Sequence, residues 1–486
     1  MSAEYEIARV ASGVDGMDVV LGGGLPQRRL TLVTGTAGSG KTLAAVQFLA
    51  SGIEQRGEPG VFVTFEERPG AIRRNFRSFG WDVAAWEEAG QWSFVDASPH
   101  VEDDTVIAGD YDLASLVVRV KHAVAESGAR RVALDSTGSL VDQFANAVAA
   151  RRALFQVAAE LQEMGVTALM TAERGEDYGP ITRHGFEEFV ADNVVVLRNT
   201  LEVEKRRRTV EVLKLRGGAH LKGEQLFTIR TGRGMVVIPQ ETVSLDYDPS
   251  GKRLSSGLPE LDAMAGGGYF DKSLVLVTGA AGTGKSLLST HFIAGGASNG
   301  ERTLLHSFEE SRGQLLRNAA RWGLDLGAME EDGTLRVVAT LPESASLEDH
   351  LLAMKSEIAE FKPDRVAIDS LTALQRVATA KTFREYLLGL SFHIKEHAMI
   401  GMVTAATEDV GGGPVTGELH LSTVCDAIVV LQYIARGAEV ARAIAVLKMR
   451  GSDHAKALRE YTVDDHGMHI GEPLAVRGWS RLPEVL

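Results

Sequence analysis

Gly35-Thr36-Ala37-Gly38-Ser39-Gly40-Lys41-Thr42 follows the apolar run LTLVT at residues 30–34 and precedes the helical pattern LAAVQFLASGI at 43–53. The arrangement returns as Gly279-Ala280-Ala281-Gly282-Thr283-Gly284-Lys285-Ser286, again after an apolar run, LVLVT. Both stretches fit the phosphate-binding loop pattern, in which glycines allow a turn so tight that successive backbone N–H groups face phosphate oxygens. Lys41 and Lys285 are then expected to reach the β- and γ-phosphates, and the hydroxyls of Thr42 and Ser286 to ligate magnesium. A glycine-rich strand-to-helix turn can imitate one such match by accident, but not two at equivalent places. ATP and Mg2+ are the expected cofactors.

Outward from the loops, the likeness continues. Ser12-Gly13-Val14-Asp15-Gly16-Met17-Asp18 returns as Ser256-Gly257-Leu258-Pro259-Glu260-Leu261-Asp262, and Gly22-Gly23-Gly24 as Gly266-Gly267-Gly268. Phe65-Glu66-Glu67 returns as Phe308-Glu309-Glu310, RRVALDS ending at Ser136 as DRVAIDS ending at Ser370, and LKLRG at 213–217 as LKMRG at 447–451. Matches in one order mean a duplicated domain. Within each copy, β-branched runs such as 60–65 and 131–134 alternate with helical patterns such as 151–164 (RRALFQVAAELQEM) and 351–361. Alternation of this kind predicts an α/β fold, each copy a mostly parallel sheet with helices on both faces. With a phosphate-binding loop in each copy, this reads as two tandem RecA-like P-loop NTPase domains. The expected boundaries are 1–240 and 256–486, joined by a polar linker over 241–255.

The net charge of −14 repels a polyanion at long range, so nucleic-acid binding would require a local basic stripe. Lys205-Arg206-Arg207-Arg208 is the one dense basic run; it reads as a solvated hairpin face, or as a contact for nucleic acid or a neighbour's phosphates. The single cysteine, Cys425, allows no internal disulfide and fits a reducing compartment. Residues 1–10 show no signal-peptide pattern, and no run of about 20 apolar residues occurs. A cytoplasmic protein with no membrane partner is expected.

Asp135 and Asp369 each end an apolar run, where a carboxylate can hold magnesium through water; a helix cap is the alternative. Glu66, Glu67, Glu309 and Glu310 also follow strands, so they are expected at the same sheet edge as the loops, able to polarise an attacking water or hydroxyl. They could equally be acids stabilising a helix N-terminus. Lys214 and Arg216, like Lys448 and Arg450, alternate along a strand and share a face, which fits either a solvated face or cations reaching a neighbouring subunit's nucleotide. His220, His420 and His454 have no partners at metal-ligand spacing. One difference separates the copies: Ser422-Thr423 stands where the first has Glu188-Phe189, so only the second carries adjacent hydroxyls there.

Several stretches resemble the circadian clock KaiC family over nearly the whole chain: PGVFVTFEE, RSFGWD, DASP, YGPI, EKRRRT, LKLRG, EESRGQLLRN, PESASLEDHL, IDSLTAL and LQYI followed by MRGS. The resemblance implies a double-ring homohexamer with ATP at subunit interfaces, whose first domain is a slow ATPase. It implies a second domain that phosphorylates a neighbour's Ser-Thr pair and later removes the phosphate. Glu66 and Glu67 would serve hydrolysis, Glu309 and Glu310 phosphoryl transfer, and Lys214, Arg216, Lys448 and Arg450 the interface. Ser422 and Thr423 would be the phosphosites, and residues 101–112 resemble the loop where a KaiB-like partner docks. Because the chain stops at Leu486, control by a KaiA-like protein is not expected. Two other functional classes are compatible with the fold alone. A nucleic-acid-dependent recombinase or helicase is opposed by the negative charge, and a non-catalytic ATP-assembled scaffold by the intact acids Glu66, Glu309, Asp135 and Asp369.

Overall fold

The computed structural model describes residues 7–98, 113–144, 146–202, 205–239, 251–407, 421–436 and 439–474. The chain divides into two units, Met1–Glu241 and Thr242–Leu486. Arg253–Leu254, inside the expected linker, pair with Tyr269–Phe270, so the second unit's ordered structure starts earlier than residue 256.

In the first unit nine strands form one sheet: β1 (Leu30–Gly35), β2 (Gly60–Thr64), β3 (Trp92–Asp96), β4 (Arg131–Asp135), β5 (Thr167–Glu173), β6 (Asn193–Glu202), β7 (Lys205–Leu215), β8 (Gln225–Arg230) and β9 (Gly234–Ile238). Their spatial order is β9-β8-β7-β6-β1-β5-β4-β2-β3, with β6 through β3 mutually parallel and β7, β8 and β9 added antiparallel. The second unit repeats this order with β10 (Leu274–Gly279), β11 (Thr303–Ser307), β12 (Leu335–Ala339), β13 (Arg365–Asp369), β14 (Ile400–Ala406), β15 (Ala427–Arg436), β16 (Glu439–Met449), β17 (Arg459–Asp464) and β18 (Gly467–Pro473).

Helices cover both faces because alternate strand residues point to opposite sides. Val33 and Phe62 pack with Val46, Phe48 and Leu49 of α1 (Lys41–Arg56) on one face. Leu32, Val61 and Val63 pack on the other with Val120 of α2 (Leu113–Ser127) and Leu154 of α3 (Ala147–Glu163). Each such fully buried side chain contributes roughly 1.5–3 kcal/mol. In the second unit α4 (Lys285–Ser298) takes the place of α1, and α5 (Leu347–Phe361) and α6 (Ala380–Glu396) those of α2 and α3. The helix expected from residue 151 begins at Ala147, because the Asn146 side chain accepts the Ala149 N–H at 3.0 Å and caps it there.

Candidate functional site

Each phosphate-binding loop joins the central strand, β1 or β10, to the helix that follows it. Gly38 and Gly40 have φ of 72° and 98°, and Gly282 and Gly284 76° and 92°, the left-handed region that a β-carbon disfavours. A Cβ on Gly35 would fall 2.4 Å from Ser39 Oγ and 2.6 Å from the Leu197 carbonyl, so the loop also needs glycine for space. Lys41 Nζ donates to the carbonyls of Gly35 and Thr36 at 3.0 and 3.1 Å, and Lys285 Nζ to those of Gly279 and Ala280, both at 2.9 Å. Each lysine thus folds back over its own loop. Burial pushes both ammonium pKa values down, against the pull of Glu173, Asp135 and Glu66 on Lys41 and of Asp369 and Glu309 on Lys285. A polyphosphate in the loop would supply the missing countercharge.

Asp135 ends β4 and Asp369 ends β13, both buried at the carboxyl edge of the parallel strands. Burial raises their pKa values, opposed by hydrogen bonds from Thr171 and Thr42 to Asp135 and from Ser286 and Thr404 to Asp369. A loop hydroxyl and a strand-end carboxylate therefore meet in both domains, a donor set suited to a hard divalent cation.

The paired glutamates reach the same edge but face different partners. Glu66 Oε1 accepts the hydroxyls of Ser136 and Ser139, each at 2.7 Å, whereas Glu67 Oε2 accepts Asn75 Nδ2 at 3.1 Å. In the second domain Glu309 Oε1 accepts Ser370 Oγ at 2.8 Å and lies 3.7 Å from Arg376, while Glu310 Oε2 accepts Asn318 Nδ2 at 2.7 Å. Burial, foremost, and the nearby Asp369 raise the Glu310 pKa. Ser136, Ser370, Ser139 and Arg376 were not singled out from sequence. The repeated Asp-Ser dipeptide after each apolar run was the available signal.

The Lys-x-Arg pairs and the Ser-Thr pair lie elsewhere. Arg216 and Arg450 each stand one residue past the end of β7 or β16, not within the strand, and a bulge in the β6–β7 pairing falls at Val194/Val195, beside Lys214. Lys214 Nζ donates to the carbonyls of Glu188 and Ala191 at 3.2 and 2.7 Å, and Arg216 lies 3.4 Å from Asp192. Lys448 Nζ donates to the Cys425 carbonyl at 2.7 Å, and Arg450 to the Thr423 carbonyl at 3.1 Å and to Asp426 at 3.2 Å. Ser422 and Thr423 occupy the short helix Leu421–Val424, where Thr423 is exposed; the Ser422 side chain and residues 101–112 lie outside the described residues. The four cations and the helix Leu421–Val424 sit at the amino edge of their sheets. The parallel register pairs Val275 with Ala427 and Gly279 with Leu431, so the Ser-Thr pair and the loop of its own domain occupy opposite ends of neighbouring strands. At roughly 3.3 Å per residue the four steps from Val275 to Gly279 alone span about 13 Å.

The basic run lies in the hairpin of β6 and β7, with Arg206 exposed and Lys205, Arg207 and Arg208 partly buried. Arg207 is 9% exposed and 3.1 Å from Glu202, and Arg206 donates to the Asn199 carbonyl at 2.6 Å. Among the described residues no helix is long and apolar enough to cross a membrane.

Two phosphate-binding loops, each backed by a buried strand-end aspartate and a glutamate just past the end of a neighbouring strand, define a tandem RecA-like P-loop ATPase. The family model described as "ATPase: KaiC" matches residues 10–242 and 254–475. The chain belongs to the KaiC family and is an ATPase and autokinase of that type. It is 52% identical to the circadian clock protein KaiC3 of Synechocystis sp., over 96% of this chain and 92% of that protein. It is 48% identical to the circadian clock oscillator protein KaiC of Synechococcus elongatus, over 96% of this chain and 90% of that one. The KaiC of Thermosynechococcus vestitus is also 48% identical, over 96% of this chain and 89% of that protein. These matches do not favour a recombinase, a helicase or an inert scaffold.

Proposed function

We propose that the chain works as a homohexameric double ring with ATP and Mg2+ between subunits, as a timing or signalling switch in which 1–240 hydrolyses ATP and 256–486 phosphorylates its neighbour. The observation that carries this reading is the placement of the phosphate-binding loop and the Ser-Thr pair at opposite edges of one sheet. A chain so built can bring the two together only across a subunit boundary. A pocket of about 280 Å3 at the amino edge of the first domain, lined among others by Arg28, Arg29, Phe155, Asp192 and Arg216, offers such a boundary a cationic surface.

Thr42 with Asp135, and Ser286 with Asp369, would hold the magnesium ion, which supplies charge neutralisation to the phosphates when bound. The backbone of residues 35–40 and 279–284 cradles the phosphates, and Lys41 and Lys285 swing from their loop carbonyls to the γ-phosphate. In the second domain Glu309 takes the proton from the hydroxyl of Ser422 or Thr423 of the adjoining subunit. That oxygen forms a bond to the γ-phosphorus as the bond to the β,γ-bridging oxygen breaks, and ADP leaves with the electron pair. Lys448 and Arg450 offset the charge that develops. In the first domain Glu66, oriented by Ser136 and Ser139, positions water for the same displacement, with Lys214 and Arg216 at the interface. Glu67 and Glu310, tied to Asn75 and Asn318, brace the strand ends beside them. A KaiB-like partner would dock at residues 101–112.

Purified chain incubated with ATP and Mg2+ tests the reading by phosphosite mapping and ADP quantification. Phosphate at Ser422 and Thr423, with steady ADP release, is expected. Phosphate confined to the first domain, or none anywhere, would overturn the assignment.

A further inference from the structure

Outside the nucleotide machinery, one cluster has the chemistry of a metal site. His393-Ile394-Lys395-Glu396-His397 closes α6, with His397 at its C-cap. Spacings of three and four bring His393, Glu396 and His397 onto one helix face. One ligand-capable atom from each lies within 4.8 Å of the others. These are not the histidines weighed from sequence, His220, His420 and His454.

Three details distinguish the cluster from a chance grouping. His393 is only 8% exposed, and its Nε2 is fully buried with no hydrogen-bond partner, an unmet polar atom that costs stability as it stands. His397 Nδ1 lies 3.0 Å from the His393 carbonyl, where it can only donate, so Nε2 carries the lone pair; this is the arrangement in which a backbone carbonyl orients a metal-binding imidazole. The two rings lie with centroids 4.1 Å apart. Burial, the His397 ring and Lys355 hold the His393 pKa down at about 3. The negative end of the α6 dipole favours a cation at this end. Lys355 is the charge that opposes one. Lys395, the other nearby ammonium, is compensated by Asp426 at 2.9 Å.

We infer that His393, Glu396 and His397 form a binding site for a borderline divalent transition metal, Zn2+ foremost. Two imidazoles and a carboxylate complete three of four tetrahedral positions, leaving one for water. Mg2+ and Ca2+, which take oxygen ligands, are not held here. Ile400 opens β14 as Thr167 opens β5, so the matching residues in the first domain are Glu160, Glu163 and Met164, without a histidine. The site is particular to the second domain. Through Lys395 and Asp426 it adjoins the Arg450 contact with the Ser-Thr helix, so a bound ion staples the end of α6 beside that segment.

The test uses full-length protein with ATP and excess Mg2+, stripped of transition metals and titrated with Zn2+ against a chromogenic chelator. Wild type should bind one equivalent more than His397→Gln, whose affinity at this site should fall roughly 100-fold or more. Co2+ should give visible d–d bands in wild type that are lost in His397→Gln and weakened in Glu396→Gln. Both substituted positions are exposed, and an unchanged urea transition of the second domain reports that its fold is kept. Equal stoichiometry and affinity in wild type and both variants, or no Zn2+ bound by wild type, would overturn the site.

Discussion

A guanidinium as buried as those of Arg131 and Arg365, each 1% exposed, survives only when paired with a carboxylate and hydrogen-bonded, although Arg131 NH2 is left buried without a partner. Arg131 Nε donates to Glu58 at 2.9 Å and its NH1 to the carbonyls of Ala11 and Phe48 at 3.0 and 2.8 Å; Arg365 repeats this with Glu301, Ser255 and Phe292. Each fits because the helix above it carries a glycine, Gly52 or Gly296, where a Cβ would fall 2.6 Å from the arginine Nε. Arg131→Leu should therefore cost about 3–5 kcal/mol, read as an earlier urea transition of the first domain. An unchanged midpoint would mean the buried pair is dispensable. At the catalytic edge the contacts separate the glutamates. Glu66→Gln should lower ADP release by about 10²–10⁴-fold, the usual loss of a positioned base, and Glu67→Gln far less. Equal losses in steady-state assays would contradict the distinction drawn from Ser136, Ser139 and Asn75.

Between strands and helices, the load falls on the segment before β15. Asp426 accepts the Leu274 N–H at 3.0 Å and holds both Lys395 and Arg450, while Lys448 ties the Cys425 carbonyl. Asp426→Asn removes the charge on which both cations converge. It should speed amide exchange over 421–427 and cut phosphorylation on the order of tenfold, as expected for about 1.4 kcal/mol of lost positioning. Unaltered exchange there would assign the anchoring to Lys448 alone. The elements themselves were largely legible in the sequence. The glycine spacing, the strand-ending aspartates and the duplicated order each reflect local rules of chain direction and turn geometry. What could not be read was contact between distant residues. That Lys214 and Lys448 bind carbonyls of their own domain, that Arg207 pairs with Glu202, and that His393 Nε2 is buried without a partner all depend on which elements pack together. The alternating Lys-x-Arg pattern misled by one step, since Arg216 and Arg450 lie just past their strands.

At the scale of the assembled protein, two nucleotide sites need not be equivalent. Lys214 and Arg216 stand at the amino edge of the first domain beside a pocket, and nucleotide from a neighbour would bridge that gap. Lys41→Ala should yield smaller species by light scattering in the presence of ATP, whereas Lys285→Ala should largely keep the ring. A fully hexameric Lys41→Ala protein would remove the first domain from control of assembly.

Transfer between subunits makes the strongest demand on the whole molecule, because it predicts what two inactive proteins do together. Glu309→Gln keeps the acceptor hydroxyls but lacks the base, and Ser422→Ala/Thr423→Ala keeps the base but lacks acceptors. Alone, each should show labelling reduced about 10²–10⁴-fold or abolished. Mixed and reassembled with ATP, hybrid rings place an intact Glu309 against an intact Ser-Thr pair at a fraction of their interfaces. Phosphate should then appear only on the Glu309→Gln chain, separable by a mass tag. If each sheet carried phosphate to its own amino edge, no mixture could restore it, for the loop and the acceptor on one chain would still lack either base or hydroxyl. Failure of rescue in rings that demonstrably exchange subunits would thus exclude transfer across the boundary. It would require instead that the Ser-Thr helix leave the amino edge, breaking the Lys448 and Arg450 contacts that hold it there.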